Sequence, residues 1–188
     1  MTPEQVKARF LKTPSGKFEL KSSYLEAKAD FIAGKLGIAR ERVGFPQWIA
    51  PKYSGGGDLF FITPKTSMHA EGRSANLPQA VALYQPVAGG RNRTYLEIHP
   101  ATAKKRGIKD GDKVKITSDR GSITAVARYY PASHPEIVVL PFGFGHWAHG
   151  RWAKDRMSGN VDEIIPNLSD PISGLAAFYT VKVKVERA

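Results

Sequence analysis

Residues 107–122, Gly-Ile-Lys-Asp-Gly-Asp-Lys-Val-Lys-Ile-Thr-Ser-Asp-Arg-Gly-Ser, limit this chain more than any other stretch. They place a helix stop, a tight turn, a half-buried strand and a second tight turn in one short span. Residues 101–106 read as a short helix with Gly107 as its C-cap, and Asp110-Gly111 supplies turn chemistry that lets a strand begin at once. Val114 and Ile116 then point to one face and Lys113, Lys115 and Thr117 to the other, which is the two-residue period of a strand with one dry side. Asp119-Arg120-Gly121 turns the chain into 122–130, where Ile123, Ala125 and Ala127 alternate with polar neighbours. Strands joined this tightly predict a small β-barrel unit.

The remaining apolar runs supply strands for it. Residues 59–63 read as a continuous apolar strand, 95–98 as the next strand and 137–140 as a fully apolar one, and 179–185 carries Val181, Val183 and Val185 on one face. A polar loop over 64–74 and a short helix over 77–83 are expected between the first two. Ahead of the barrel, Thr2, Pro3 and Gln5 form a capping box for a helix over 2–10. Residues 17–21 alternate like a strand with Phe18 and Leu20 inward. Ser23 with Glu26 predicts a second capped helix running to about Lys35 and stopping at Gly37. Pro46, Pro51 and the three consecutive glycines 55–57 mark a surface loop and a boundary. The expected organisation is an N-terminal extension and linker over 1–58 and a barrel over 59–188, since 188 residues with 41% hydrophobic content bury one sizeable core.

Charge and cysteine content narrow the chemistry. The formal net charge is +11, which calls for an anionic partner: a phosphorylated ligand, nucleic acid, an acidic subunit or an anionic membrane surface. The basic residues are spread along the chain, without the stripe interleaved with aromatics that direct nucleic-acid binding usually brings. There is no cysteine, so the chain itself cannot provide a disulfide, a thiolate-held iron–sulfur cluster or a cysteine ligand to zinc or molybdenum. No apolar run approaches the roughly 20 residues of a membrane-spanning helix, and the start lacks the charged-then-apolar pattern of a secretory signal. The compartment is left open by all of this.

Two loops that follow apolar strands concentrate the polar chemistry: Thr63-Pro64-Lys65-Thr66-Ser67-Met68-His69 and the glycine-rich stretch 143–150. Hydroxyls, a lysine and backbone amides that glycine lets approach closely are the groups that cradle a phosphate or a polar heterocycle. Ordinary turns are the alternative reading. His146 and His149 are three apart, yet no carboxylate or cysteine stands nearby to complete a metal site. His69 has no nucleophile or carboxylate at a spacing that would make it a catalytic base. Trp147 and Trp152 suit either core packing or stacking on a purine.

Taken in order, the motifs resemble one known family. Thr63 with His69 six positions on, then Leu96, Ile98, Pro100, Ala103, Gly107-Ile108, Asp110-Gly111-Asp112 and Val114 at fixed offsets, then Ser118 and Gly121, match the molybdopterin-dinucleotide-binding domain of the dimethyl-sulfoxide-reductase family of molybdenum and tungsten oxidoreductases. Gly145-His146-Trp147, Gly159-Asn160 and Asp170-Pro171-Ile172-Ser173-Gly174 continue the series over about residues 59–186. Residues 13–20 resemble the segment that precedes this domain in those enzymes.

The resemblance implies a mainly β chain with short helices folded as a double-psi β-barrel, and a share in holding bis-molybdopterin guanine dinucleotide with molybdenum or tungsten. By position, Thr63, Lys65, Thr66 and His69 would line one half of the cofactor, with Ser118, Arg120, Gly145, His146, Trp147 and Asn160 contributing elsewhere. These are binding roles; the redox centre would sit on a catalytic molybdopterin oxidoreductase chain or domain, with an iron–sulfur electron-transfer subunit as a further partner. The resemblance leans towards polysulfide, thiosulfate, tetrathionate or arsenate reductases. Four positions depart from the family pattern: Pro64-Lys65 replaces a common Gly-Arg, so the charge stays but the planar fork is lost, and His99 and Thr102 stand where Asn and Asp are common. Because the domain usually ends a much longer catalytic chain, a separate subunit and an excised fragment are both open. The competing expectation is a free-standing basic double-psi barrel that binds protein or nucleic acid.

Overall fold

A computed structural model describes residues 1–66, 69, 71, 73–74, 76–79, 95–145 and 159–188. The described chain divides into two compact units, one formed by Met1–Ala50 with Ser169–Leu175, the other by Pro51–Leu168 with Ala176–Ala188.

The second unit is a closed barrel of six strands: β1 (Leu59–Ile62), β2 (Tyr95–Ile98), β3 (Lys113–Thr117), β4 (Ser122–Tyr129), β5 (Ile137–Val139) and β6 (Lys182–Arg187). Around the wall the order is β1-β5-β2-β4-β3-β6. Two neighbouring pairs, β1 with β5 and β2 with β4, run parallel, and the other pairs are antiparallel. The chain is therefore mainly β with short helices, as expected, and the closed barrel is the double-psi fold that the resemblance implies. Closure leaves no strand edge to be satisfied elsewhere.

The inward residues are those the alternation singled out. Val114 and Ile116 are fully buried, Ile123, Ala125 and Ala127 nearly so, and Phe61, Leu96, Ile98, Val138, Val183 and Val185 complete one core. Each large apolar side chain buried in this way contributes about 1.5–3 kcal/mol. The 107–112 segment forms as its residues dictate. After helix α4 (Pro100–Lys105, numbered after the three N-terminal helices below), Gly107 sits at φ +66°, its amide donating to Lys104 O and that of Ile108 to Ala103 O. That pair of bonds closes the helix end in a Schellman motif. Asp110 then accepts from the Tyr129 amide at 2.6 Å while the Tyr129 hydroxyl donates to Ile108 O at 2.8 Å, which pins the turn to β4.

The loop over 45–58 is not simply a surface excursion. Ser54 pairs with Val181, and Gly55 and Gly57 lie directly on β6, where an added Cβ would come within 2.0 Å of Lys182 O and 1.9 Å of the Val183 carbonyl carbon. Only glycine allows that approach.

The first unit holds α1 (Pro3–Phe10), α2 (Ser23–Glu26) and α3 (Ala29–Leu36). Thr2 and Gln5 make the expected capping box, and Gly37 ends α3 in the left-handed conformation. Two expectations are corrected here. Residues 17–21 form no strand, and Phe18 and Leu20 are about three-quarters exposed, because local hydrogen bonds capture the segment instead of a ladder. Thr13 Oγ1 donates to Lys17 O at 2.6 Å, and the Glu19 carboxylate accepts from the Ser15 amide at 3.1 Å and the Ser23 hydroxyl at 2.9 Å. The helix expected from Ser23 to Lys35 is two helices, and its cap is Ser22, whose hydroxyl accepts from the Leu25 amide. Ser23 is taken by Glu19 and Glu26 by Lys21, so the pair that looked like a capping box is engaged elsewhere. Most of the helix expected over 77–83 lies outside the described residues.

Substituting glycine in the 55–57 loop separates close approach from backbone conformation. Gly57→Ala must displace the β6 main chain and is expected to cost roughly 3 kcal/mol in urea unfolding. Gly56→Ala meets nothing within 4 Å and carries only the strain of φ +70°, about 1 kcal/mol. Equal losses in the two variants would contradict the contact with β6.

Hydrogen bonds from Ser15 and then Ser23 hold the Glu19 carboxyl far below its ordinary value, at about 2. A depressed carboxyl stabilises the fold fully above its unfolded value of 4.5, and that contribution disappears as the pH falls through the folded value. Carbon-detected titration of Glu19 is expected to be flat from pH 5 to pH 3, roughly; a midpoint near the ordinary value would show the turn is not held this way.

Candidate functional site at the β1 and β5 ends

Parallel, in-register pairing of Phe60 with Ile137, Phe61 with Val138 and Ile62 with Val139 makes β1 and β5 leave the barrel side by side at one end. The two candidate loops therefore start as neighbours. Backbone pairing continues past the strands, with the Leu140 amide donating to Ile62 O at 3.0 Å and the Phe142 amide to Pro64 O at 3.3 Å. Farther out, His69 Nε2 lies 2.7 Å from Gly143 O, and the His69 ring stacks on Phe144 with centroids 4.7 Å apart and planes at 29°. A carbonyl only accepts, so Nε2 carries the proton.

In the first loop, Thr63 is buried, and the Oγ1 atoms of Thr63 and Thr66 are shielded from solvent with no hydrogen-bond partner. Leaving a buried hydroxyl unpaired costs about 1–3 kcal/mol. Ser54 Oγ is the other such side-chain atom among the described residues. Lys65 is exposed and makes only a loose ion pair with Glu71, at 3.4 Å. Two orphaned hydroxyls beside an exposed ammonium fit a polar, negatively charged group of the kind a pterin dinucleotide carries.

Gly145 stands at φ +82°, and a Cβ there would fall 2.2 Å from the Asn160 amide nitrogen. Gly159 is held by a bond from its amide to Thr124 O, and its Cα side faces Ile123 so closely that a Cβ would meet Ile123 Cβ at 2.2 Å. Asn160 Oδ1 accepts from the Asp162 amide and caps the short 3-10 turn Val161–Glu163. Contacts thus run from Thr66 through His69 to the 143–145 turn, and from Gly145 to Asn160.

Ser118 and Arg120 occupy the β3–β4 turn. The Ser118 hydroxyl donates to Ile164 O at 2.7 Å and accepts from the Arg120 amide at 3.0 Å, so its proton is already used inside the fold. The Arg120 side chain is exposed. His146 and Trp147 lie outside the described residues.

Two of the positions that depart from the family pattern, His99 and Thr102, have structural duties. His99 Nδ1 accepts from the Ala101 amide and caps α4, and Thr102 Oγ1 donates to Pro135 O at 2.6 Å. Asp170 Oδ1 gathers Ile172 N, Ser173 N and Ser173 Oγ into one exposed turn. Those bonds, led by the Ser173 amide, hold its carboxyl below the ordinary range. Phe144 and the Gly143 carbonyl were not among the candidate residues. Their loop was recognisable from its glycines, but nothing in the spacing pointed to a ring stack with a residue so far away in the chain. Among the described residues no helix is long and apolar enough to cross a membrane.

Comparison with known proteins identifies the domain. The family profile described as "Molydopterin dinucleotide binding domain" matches residues 60–182. The arsenate respiratory reductase molybdopterin-containing subunit ArrA of Shewanella sp. (strain ANA-3) is 30% identical over 99% of this chain and 25% of its own length. ArrA of Chrysiogenes arsenatis is 37% identical over 80% of this chain and 19% of its own. The chain thus spans about a quarter or less of the curated relatives it matches. Among solved structures, acetylene hydratase from Pelobacter acetylenicus superposes with a TM-score of 0.66 at 16% identity, over 94% of this chain and 24% of that one, a likeness of fold. The chain belongs to the molybdopterin-dinucleotide-binding domain family of the dimethyl-sulfoxide-reductase-type molybdoenzymes.

Proposed function

We propose that residues 59–188, preceded by an extension over 1–58, hold and orient bis-molybdopterin guanine dinucleotide for a molybdopterin oxidoreductase of the polysulfide, thiosulfate, tetrathionate or arsenate reductase type. The redox chemistry belongs to the bound metal and pterin. This chain supplies binding and orientation. It works with a catalytic molybdopterin polypeptide, joined to it or separate, and through that polypeptide with an iron–sulfur electron-transfer subunit. The family match and the ArrA relatives support the cofactor class and the reductase type.

The single observation that carries the site assignment is the pair of buried, unpartnered hydroxyls on Thr63 and Thr66. A folded chain tolerates such groups where a ligand later satisfies them. In this reading they hydrogen-bond the cofactor, Lys65 neutralises diphosphate charge, and Gly145, seated on the Asn160 backbone, holds its loop at the cofactor face. Ser118 acts by shaping the β3–β4 turn, which presents Arg120, and His146 and Trp147 complete the binding set.

Co-purification of the chain with its molybdopterin polypeptide, followed by mass spectrometry of the released pterin, is expected to yield the guanine dinucleotide. The double variant Thr63→Val, Thr66→Val loses no hydrogen bond in the cofactor-free chain, so its melting temperature should equal or exceed that of the wild type. Its cofactor content should fall about tenfold, the effect of two lost hydrogen bonds of ordinary strength. Unchanged retention by the double variant would remove the hydroxyls from the site.

A further inference from the structure

We propose that His69 is a positioning residue: it latches the 143–145 turn to the Thr63 loop and sets the form of the binding face before any cofactor arrives. The consequence for cofactor retention rests on the function proposed above, whereas the latch is a property of the chain alone.

An engaged donor separates this role from that of a direct ligand. Unlike the unpartnered Thr63 and Thr66 hydroxyls, the buried His69 already directs its Nε2–H at Gly143 O, 2.7 Å away. A buried imidazole needs a partner for its N–H. Here Nε2–H finds the Gly143 carbonyl, 74 positions along the chain, and the ring lies against Phe144. One residue thereby grips two successive residues of the opposite loop.

The turn it grips is one that needs gripping. Gly143 and Gly145 stand at φ +87° and +82°, on either side of Phe144. Glycine backbones lose the most freedom on ordering. Among the described residues the ladder between the two loops runs out to the bond from the Phe142 amide to Pro64 O, already long at 3.3 Å. Beyond it, His69 supplies a hydrogen bond and a stacked ring at the same point. On its far side the turn rests on Asn160 through Gly145. Ordering in advance lowers the conformational cost that a ligand would otherwise meet on binding, which raises affinity without adding a contact to the ligand.

Hydrogen–deuterium exchange of the cofactor-free 188-residue chain tests the latch directly. His69→Phe keeps a flat ring against Phe144 but has no donor. It is expected to speed exchange of the peptide covering 142–145 by about tenfold, with little change in melting temperature or in exchange of the strands. His69→Gln, whose amide can reach the same carbonyl, should recover part of the protection. In the assembled complex His69→Phe should shed cofactor faster than wild type although Thr63 and Thr66 are intact. Wild-type exchange rates in His69→Phe, or no recovery in His69→Gln relative to His69→Phe, would overturn the proposal. A wild-type complex that carries no pterin would instead sink the functional reading and leave the exchange result standing.

Discussion

The parallel pairing of β1 with β5 is the constraint on which the rest of the structure depends. Parallel neighbours end at the same side of a sheet, whereas antiparallel neighbours would send the two loops to opposite ends. Because Ile62 and Val139 are in register, the threonine loop and the glycine-rich loop leave the barrel together and extend the ladder to Pro64 and Phe142. Everything proposed for the site, from the unpartnered hydroxyls to the His69 grip, presupposes that shared exit.

The rim of the barrel gives up stability that its interior supplies. Valine in place of Thr63 or Thr66 would remove a buried oxygen that has no partner, so the hydroxyls are not there for folding. The interior that carries this cost is built on an apolar core, with Phe61, Leu96, Ile98, Val138 and the β6 valines packed in one cluster. Glycines at 55, 57, 145 and 159 serve the same division of labour by letting backbone lie on backbone or on a core side chain at distances a Cβ would forbid. The result is a barrel wall with unpartnered hydroxyls at its rim, the arrangement on which the binding proposal rests.

Much of the wall was legible from local chemistry. Residues 107–127 fold as their turn residues and alternation dictate, because two-residue periodicity, an Asp-Gly turn and a left-handed glycine each act over a few positions. The capping box at Thr2 and the helix end at Gly37 were equally plain. The same local logic misled where two local options competed. Glu19 reached both Ser15 and Ser23, which denied Phe18 and Leu20 a ladder and moved the helix cap to Ser22. His99 and Thr102 also look like altered ligand positions in the sequence, yet one caps a helix and the other binds Pro135 O across 33 positions.

By itself, the sequence determined the strand faces, the tight turns, the absence of any thiolate ligand and the order of motifs that marks the family, since each depends on residue identity or short-range geometry. Only the tertiary structure decided that Thr63 and Thr66 lack partners, that Ser118 has already given its proton to Ile164 O, and that His69 reaches Gly143 rather than solvent. Whether a polar atom is satisfied depends on which distant segment lies against it. That is fixed by how the barrel closes, and no local pattern carries it.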